Sequence, residues 1–397
     1  MKPFFLLALC AVTGCGQLVL AREELPLDVA REDVAGFVSR VHERHGMDRD
    51  TVASILGLAR IQPRIIEAIS RPAEKVKPWH EYRAIFMTPD RIGAGVEFAR
   101  THREELEEIA ARTGVPLEIL VGIVGVETFY GRITGRYRVL DALATLAFEY
   151  PPRSGFFSGE LEQFLLMLRE QGLEAEGPTG SYAGAMGLPQ FIPSSYRAYA
   201  VDGDGDGRVD LWESTSDVLS SVANYFSAHG WQAGAPVVAC ARPGDVDAGA
   251  LTDPGLKPST TVGALRQAGV ELTGAVPESP EAPAGLFMLE GADGPQYWAG
   301  FHNFYVITRY NRSLMYALAV HELGQAVRER LGAATGAASP HFSPIHGCGR
   351  VATENTALHS VRVLDVLSST PARPDSRALC LFRRYAASLR APVRNAG

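Results

Sequence analysis

The twelve residues from 119 to 130, ILVGIVGVETFY, carry one charge, Glu127. A helix of this composition has no polar face to turn to water, so it must be covered on nearly every side by other elements. The surrounding chain can provide that cover. It has 397 residues, 46% apolar and 21% charged, enough for at least one large core and two or three domains. A glutamate near a helix end is ordinarily a solvated surface residue. Within an otherwise uncharged run, Glu127 is instead expected at the floor of a cleft, where burial disfavours the carboxylate and keeps the group protonated near neutral pH. Protonating a glycosidic oxygen requires such a group.

Helical spacing extends on both sides of this run. DVAREDVAGFVSRVHERH and TVASILGLARI carry apolar residues three and four apart, and a Pro-marked break at RPAEKVKPW precedes one long amphipathic stretch, PDRIGAGVEFARTHREELEEIAARTG. After the apolar helix come a looped section through YPPRSGFF and a helix predicted from about Gly159 to Gln171. Its first turn would hold Glu160 and Glu162, where acidic groups suit the helix dipole. The texture changes at Gly234 to short β-prone runs with Pro/Gly turns, such as VVACARPG, AGLFMLEG and PQYWAG, which predict a small α/β insert. Helix returns with RSLMYALAVHELGQAVRERL. His321-Glu322 begins like a zinc-protease helix, but position 325 is Gln, so the second His ligand is missing. No phosphate-binding or dinucleotide fingerprint stands in a strand-to-helix setting.

Residues 181–231 combine three signals. SYAGAMGLPQF is a turn of small residues that lets a bulky chain approach the backbone; Ser181 and Gln190 flank it, and Tyr182, Met186 and Phe191 offer apolar surface for sugar rings. A tight turn packed between helices is the plainer reading. Next, Asp202, Asp204, Asp206, Gly207, Arg208 (through its backbone carbonyl) and Glu213 fit the calcium-loop pattern D-x-D-x-D-G-x5-E. Carboxylates at alternate positions repel unless a hard cation neutralises them. A helix with Asn224, Tyr225 and Trp231 follows. A net charge of −7 with pI about 5.9 argues against a nucleic-acid partner.

GVETFYGR, SYAGAMGLPQF, SVANYF and FYVITRYNRS together closely resemble the MltB/SltB type of lytic murein transglycosylase over roughly residues 30–330. The resemblance implies a mainly α fold with a lysozyme-like (goose-type) core, an N-terminal helical domain and a small α/β insert. The corresponding divisions are 22–113 for the N-terminal domain, 114–232 for the catalytic core with its EF-hand-like loop, 233–308 for the insert, 309–332 for a returning helix and 333–397 for a linker and extension of unknown role. It places Glu127 as the catalytic acid, and Ser181 and Gln190 in the saccharide cleft, with Arg153, Phe156, Tyr225 and Tyr310 along the same groove. Pro152 stands where relatives carry a second Arg, so part of that contact differs here. Relatives close a longer metal loop with an Asp matched by Asp217, leaving Glu213 or Asp217 as the last calcium ligand.

The implied substrate is the β-1,4 bond between N-acetylmuramic acid and N-acetylglucosamine in peptidoglycan, cut by a monomer to leave a 1,6-anhydromuramic acid end, with structural Ca2+ and no organic cofactor. A hydrolytic muramidase, or a wall-binding lipoprotein without activity, is the alternative. Residues 1–21, MKPFFLLALCAVTGCGQLVLA, read as an export signal, too short for a membrane span. Cleavage before Cys15 would give an outer-membrane lipoprotein, and cleavage after Ala21 a free periplasmic enzyme. Either route leaves Cys240, Cys348 and Cys380; the simplest expectation pairs Cys348 with Cys380 and keeps Cys240 buried and reduced.

Overall fold

The computed structural model describes residues 24–70, 77–252 and 255–335. The signal segment, Cys15, and the tail with Cys348 and Cys380 lie outside them. The architecture is mainly helical with a lysozyme-like core, and a five-stranded antiparallel sheet forms the insert.

Helix Leu117–Thr128 occupies the centre, its residues from Glu118 to Val126 all buried. It packs most extensively on helix Leu314–Thr335, and glycines make the approach close. A Cβ added at Gly122 would lie 2.4 Å from the Val320 carbonyl oxygen, and one at Gly324 only 1.9 Å from that of Glu118. Backbone therefore meets backbone on both sides, a contact that larger residues would forbid.

Two helical boundaries differ from the sequence expectation. The long amphipathic stretch is two helices, Pro89–Thr101 and Arg103–Thr113, broken where His102 leaves helical geometry (φ −107°, ψ 27°) and its ring packs 4.8 Å from that of Phe98. The looped section contains a further helix, Val139–Glu149, buried along its whole run from Val139 to Ala147 and so lacking an amphipathic period to reveal it. A 3-10 turn at Pro151–Arg153 leads from it into helix Ser154–Gln171, which starts earlier than predicted. Glu160 and Glu162 consequently lie beyond the first turn and are buried. Glu160 accepts hydrogen bonds from the Ser194 N–H and hydroxyl, while Glu162 pairs with His45 at 2.6 Å.

In the insert, strands Thr260–Thr261, Pro283–Gly291, Gly294–Gly300, Val238–Pro243 and Val270–Thr273 lie side by side in that order. One sheet face joins the main core through Val238, Phe287 and Trp298, and the other builds a small core from Ala239, Ala241, Leu286 and Ala299. Cys240 corrects the expectation of a buried thiol: it is half-buried and disulfide-bonded, its partner lying outside the described residues. Helix His302–Tyr310 then returns the chain to the main core with Phe304, Val306 and Ile307.

Candidate active site

Glu127 stands in the last turn of the central helix, where aligned carbonyls put negative potential next to its carboxylate. Burial pushes its pKa from the usual carboxylate range up to about 7. The opposing effect is one hydrogen bond: the Tyr316 hydroxyl donates to Glu127 Oε1 at 2.5 Å. Tyr316 is buried, and its own pKa is raised by desolvation first and by the facing carboxylate second. Sequence reasoning missed this residue. It lies in an apolar stretch of the returning helix with no local pattern to distinguish it, and it reaches Glu127 only because the glycine crossing brings the two helices together.

The chain turns sharply after the acid. Phe129 and Tyr130 both adopt the left-handed region (φ 53° and 56°), a conformation that costs non-glycine residues energy and persists only when neighbours enforce it. The Thr128 hydroxyl donates to the Leu188 carbonyl at 3.1 Å and accepts from the Gly131 N–H at 3.1 Å. Gln190 Nε2 donates to the carbonyls of Thr134 (3.0 Å) and Gly187 (2.7 Å). The small-residue turn is thereby fastened beside the acid, as the sequence motif requires.

Within that turn, Ser181 Oγ accepts from the N–H groups of Ala183 (3.2 Å) and Ala185 (3.0 Å), leaving its own proton to donate. Gln190, with φ 55°, keeps its Oε1 as an acceptor. Met186 and Phe191, expected to offer surface to a sugar, are instead buried, as deeply as Ser181 (4% exposed) and Gln190 (2%). They are 0% and 2% exposed and exchange backbone hydrogen bonds of 2.8 and 3.1 Å, so they hold the turn from beneath. Tyr182 is likewise buried.

The predicted tyrosines do assemble. Tyr225 and Tyr310 meet edge to face at 4.8 Å, and Tyr310 lies parallel to Tyr316 at 6.5 Å, linking the groove tyrosines to the acid. Their hydroxyls are fixed on backbone, Tyr225 on the Arg309 carbonyl and Tyr310 on that of Pro189, each at 2.6 Å. Arg153 lies over the ring of half-buried Phe156 at 4.3 Å.

Among the described residues no second carboxylate perturbs Glu127. Those nearest in sequence are committed elsewhere. Asp141 accepts from Arg138 and from the Arg60 N–H, Glu149 is bound by Arg31, and Glu160 and Glu162 are held as above.

The acidic loop gathers Asp202, Asp204 and Asp217, with one carboxylate oxygen from each lying within 4.8 Å of the others. Asp206 and Glu213 contribute no carboxylate to this group, so of the two candidates for the closing position Asp217 is the one brought in. Backbone N–H groups orient these carboxylates: Gly205 and Gly207 donate to Asp202, and Gly203 and Asp210 donate to buried Asp217. An all-oxygen set of three carboxylates suits a hard cation such as calcium. The loop also abuts the small-residue turn through the Leu188 N–H on the Leu211 carbonyl (2.8 Å) and Trp212 Nε1 on the Thr179 carbonyl (2.8 Å).

Comparison with known proteins agrees with this constellation. Residues 30–325 match the family model described as a transglycosylase SLT domain. The membrane-bound lytic murein transglycosylase B of Escherichia coli K12 is 44% identical over 300 residues, 73% of this chain and 81% of that protein. The soluble lytic transglycosylase SltB1 of Pseudomonas aeruginosa is 47% identical with TM-score 0.72, covering 75% of this chain and 99% of its own. The Escherichia coli lytic transglycosylase Slt35 in complex with calcium is 41% identical with TM-score 0.69, covering 78% and 96%. With Glu127, the small-residue turn and the acidic loop all inside the matched span, the chain belongs to the SLT-domain family of lytic transglycosylases.

Proposed function

We propose that this chain is a lytic murein transglycosylase that cuts the β-1,4 bond between N-acetylmuramic acid and N-acetylglucosamine and leaves a 1,6-anhydro end. The observation that carries the reading is a single half-buried carboxyl group, Glu127, whose desolvation raises its pKa to about 7 and which no second carboxylate perturbs among the described residues. Glu127 donates its proton to the glycosidic oxygen as the C1–O bond breaks. The resulting carboxylate then takes the proton of the sugar's own C6 hydroxyl as O6 bonds to C1. Glu127 ends protonated, and no water is consumed. The internal hydroxyl gains from effective molarity where a diffusing water cannot. Ser181 can donate to the bound sugar and Gln190 Oε1 can accept from it, while Arg153 is suited to a lactyl or peptide carboxylate.

Mass analysis of products from purified peptidoglycan tests this directly. Fragments lighter than hydrolysis products by one water, with no reducing end at the muramic acid and no label taken from 18O water, are the expected result. Incorporation of the label would make the enzyme a hydrolytic muramidase.

Calcium, held by Asp202, Asp204 and Asp217, would neutralise the loop and brace the saccharide turn against the Tyr225 helix rather than polarise the substrate. Binding to the native state alone stabilises it by about 2.7 kcal/mol when free calcium is a hundredfold above Kd. Chelation should therefore lower the Tm by several degrees in wild type but not in Asp217→Asn. An equal Tm with and without chelator in wild type would refute the site. We further propose that the protein is exported and that Cys15 carries a lipid anchor, in keeping with the membrane-bound name of the Escherichia coli relative. Cys15→Ser should then move it from the membrane to the soluble fraction, and an unchanged distribution would reject the anchor.

A further inference from the structure

Arg91 is the N3 residue of helix Pro89–Thr101, its N–H bonded to the Thr88 cap at 3.2 Å, a position where the helix dipole disfavours a cation. It is 5% exposed, and its Nε and Nη1 have no hydrogen-bond partner. A buried guanidinium without a counter-ion is costly, so its position demands another source of stabilisation. That source is aromatic: the guanidinium carbon lies 5.2 Å from the Phe86 ring centroid and 4.6 Å from that of Phe129. Phe129 caps the acid-bearing helix at its negative end, where a cation is favoured, and it stands two residues after Glu127.

The adjoining residue is tightly confined as well. The Tyr130 hydroxyl fits between helix Pro89–Thr101 and the acid-bearing helix, where a Cβ at Gly95 or Gly125 would come within 2.3 or 2.5 Å of it. Glycine at those positions gives Tyr130 its seat, while the Phe129 ring is held by two cations, buried Arg91 at 4.6 Å and exposed Arg132 at 4.7 Å, of which Arg91 is the one desolvated and so the stronger partner. Two consecutive left-handed residues need such enforcement.

We propose that Arg91 is a positioning residue for catalysis, clamping the Phe129–Tyr130 turn through the Phe129 ring and so fixing the direction in which Glu127 leaves its helix. The proposal rests on the reading of Glu127 as the acid. That reading is tested separately, because Glu127→Gln removes the proton donor while leaving the clamp intact.

Arg91→Met retains an unbranched apolar stem and removes the cation, whereas Arg91→Lys retains a charge able to sit over the rings. Displacing a reacting group by about 1 Å costs roughly 10²-fold in rate, so Arg91→Met should lower kcat by roughly 10- to 100-fold with KM little changed. Loosening the turn also admits water to Glu127, so the alkaline limb of the pH–rate profile should move toward lower pH. Tyr316 is the titratable group facing Glu127 among the described residues, and it is untouched by these variants. Arg91→Lys should recover most of the activity and the original limb. Phe129→Leu should reproduce the Met variant, and the double variant should be no slower than either single one. Wild-type kcat in Arg91→Met would overturn the proposal, as would a lowered kcat with an unmoved limb, or losses that multiply in the double variant. Should Arg91→Met fail to fold, Phe129→Leu and Arg91→Lys decide: full activity in Phe129→Leu, or loss in Arg91→Lys as deep as in Phe129→Leu, rejects the clamp.

Discussion

Glu127→Gln should abolish cleavage, reducing the rate by about 10³- to 10⁴-fold, while glycan binding persists. Glutamine preserves the shape and can still accept from Tyr316, but it can neither deliver a proton to the leaving oxygen nor receive one from the C6 hydroxyl. The pH dependence follows from the same residue. The reaction starts from the protonated acid, so wild-type kcat/KM should fall as pH rises through about 7, where Glu127 ionises. The carboxylate needed for the second proton transfer is generated within the reaction, so no acid limb from a separate base is expected above the range where the fold itself fails. A bell-shaped profile with two catalytic ionisations would contradict the single-carboxylate mechanism. Stability should follow pH in the same direction. The folded pKa of about 7 exceeds the ordinary value of 4.5, so Glu127 favours folding least above pH 7, after its buried carboxylate has ionised. Glu127→Gln should accordingly be more stable than wild type at pH 8, by roughly 1–3 kcal/mol, with the difference fading toward pH 4.5. Denaturant titrations of both proteins at several pH values would measure it.

Tyr316→Phe should have the second-largest effect, a loss of roughly 10- to 100-fold in kcat, corresponding to removal of a hydrogen bond to a charged group. The Tyr316 hydroxyl donates to Glu127 and so favours the carboxylate that forms as the proton leaves. Without it the pKa of Glu127 should rise, and the alkaline limb should shift to higher pH. This direction is opposite to that expected for Arg91→Met, so the two variants separate hydrogen bonding from positioning. A Tyr316→Phe enzyme with wild-type rate and limb would show that the hydroxyl serves packing alone.

Local chemistry made part of this site legible in the sequence. Glu127 declared itself by its lack of charged neighbours, and the acidic loop by its spacing, because in both cases one short segment contains the whole signal. Arg153, Phe156, Tyr225 and Tyr310 came from resemblance to relatives rather than from periodicity. Tyr316 and Arg91 are invisible to local reading, since each acts across a helix–helix contact made by distant residues. The misreadings have the same origin. Met186 and Phe191 look like sugar platforms until the turn folds over them, and helix Val139–Glu149 carries no periodic signal because no face of it meets water.

The glycine crossing also has a consequence in time. Glu127 and Tyr316 are 189 residues apart, and the helix that seats Tyr316 is the last one among the described residues. Until that helix docks, position 127 holds a solvated glutamate that is ionised at neutral pH. A growing chain can therefore complete the saccharide turn and the acidic loop and still lack a proton to give. Chemical competence comes only when that helix docks.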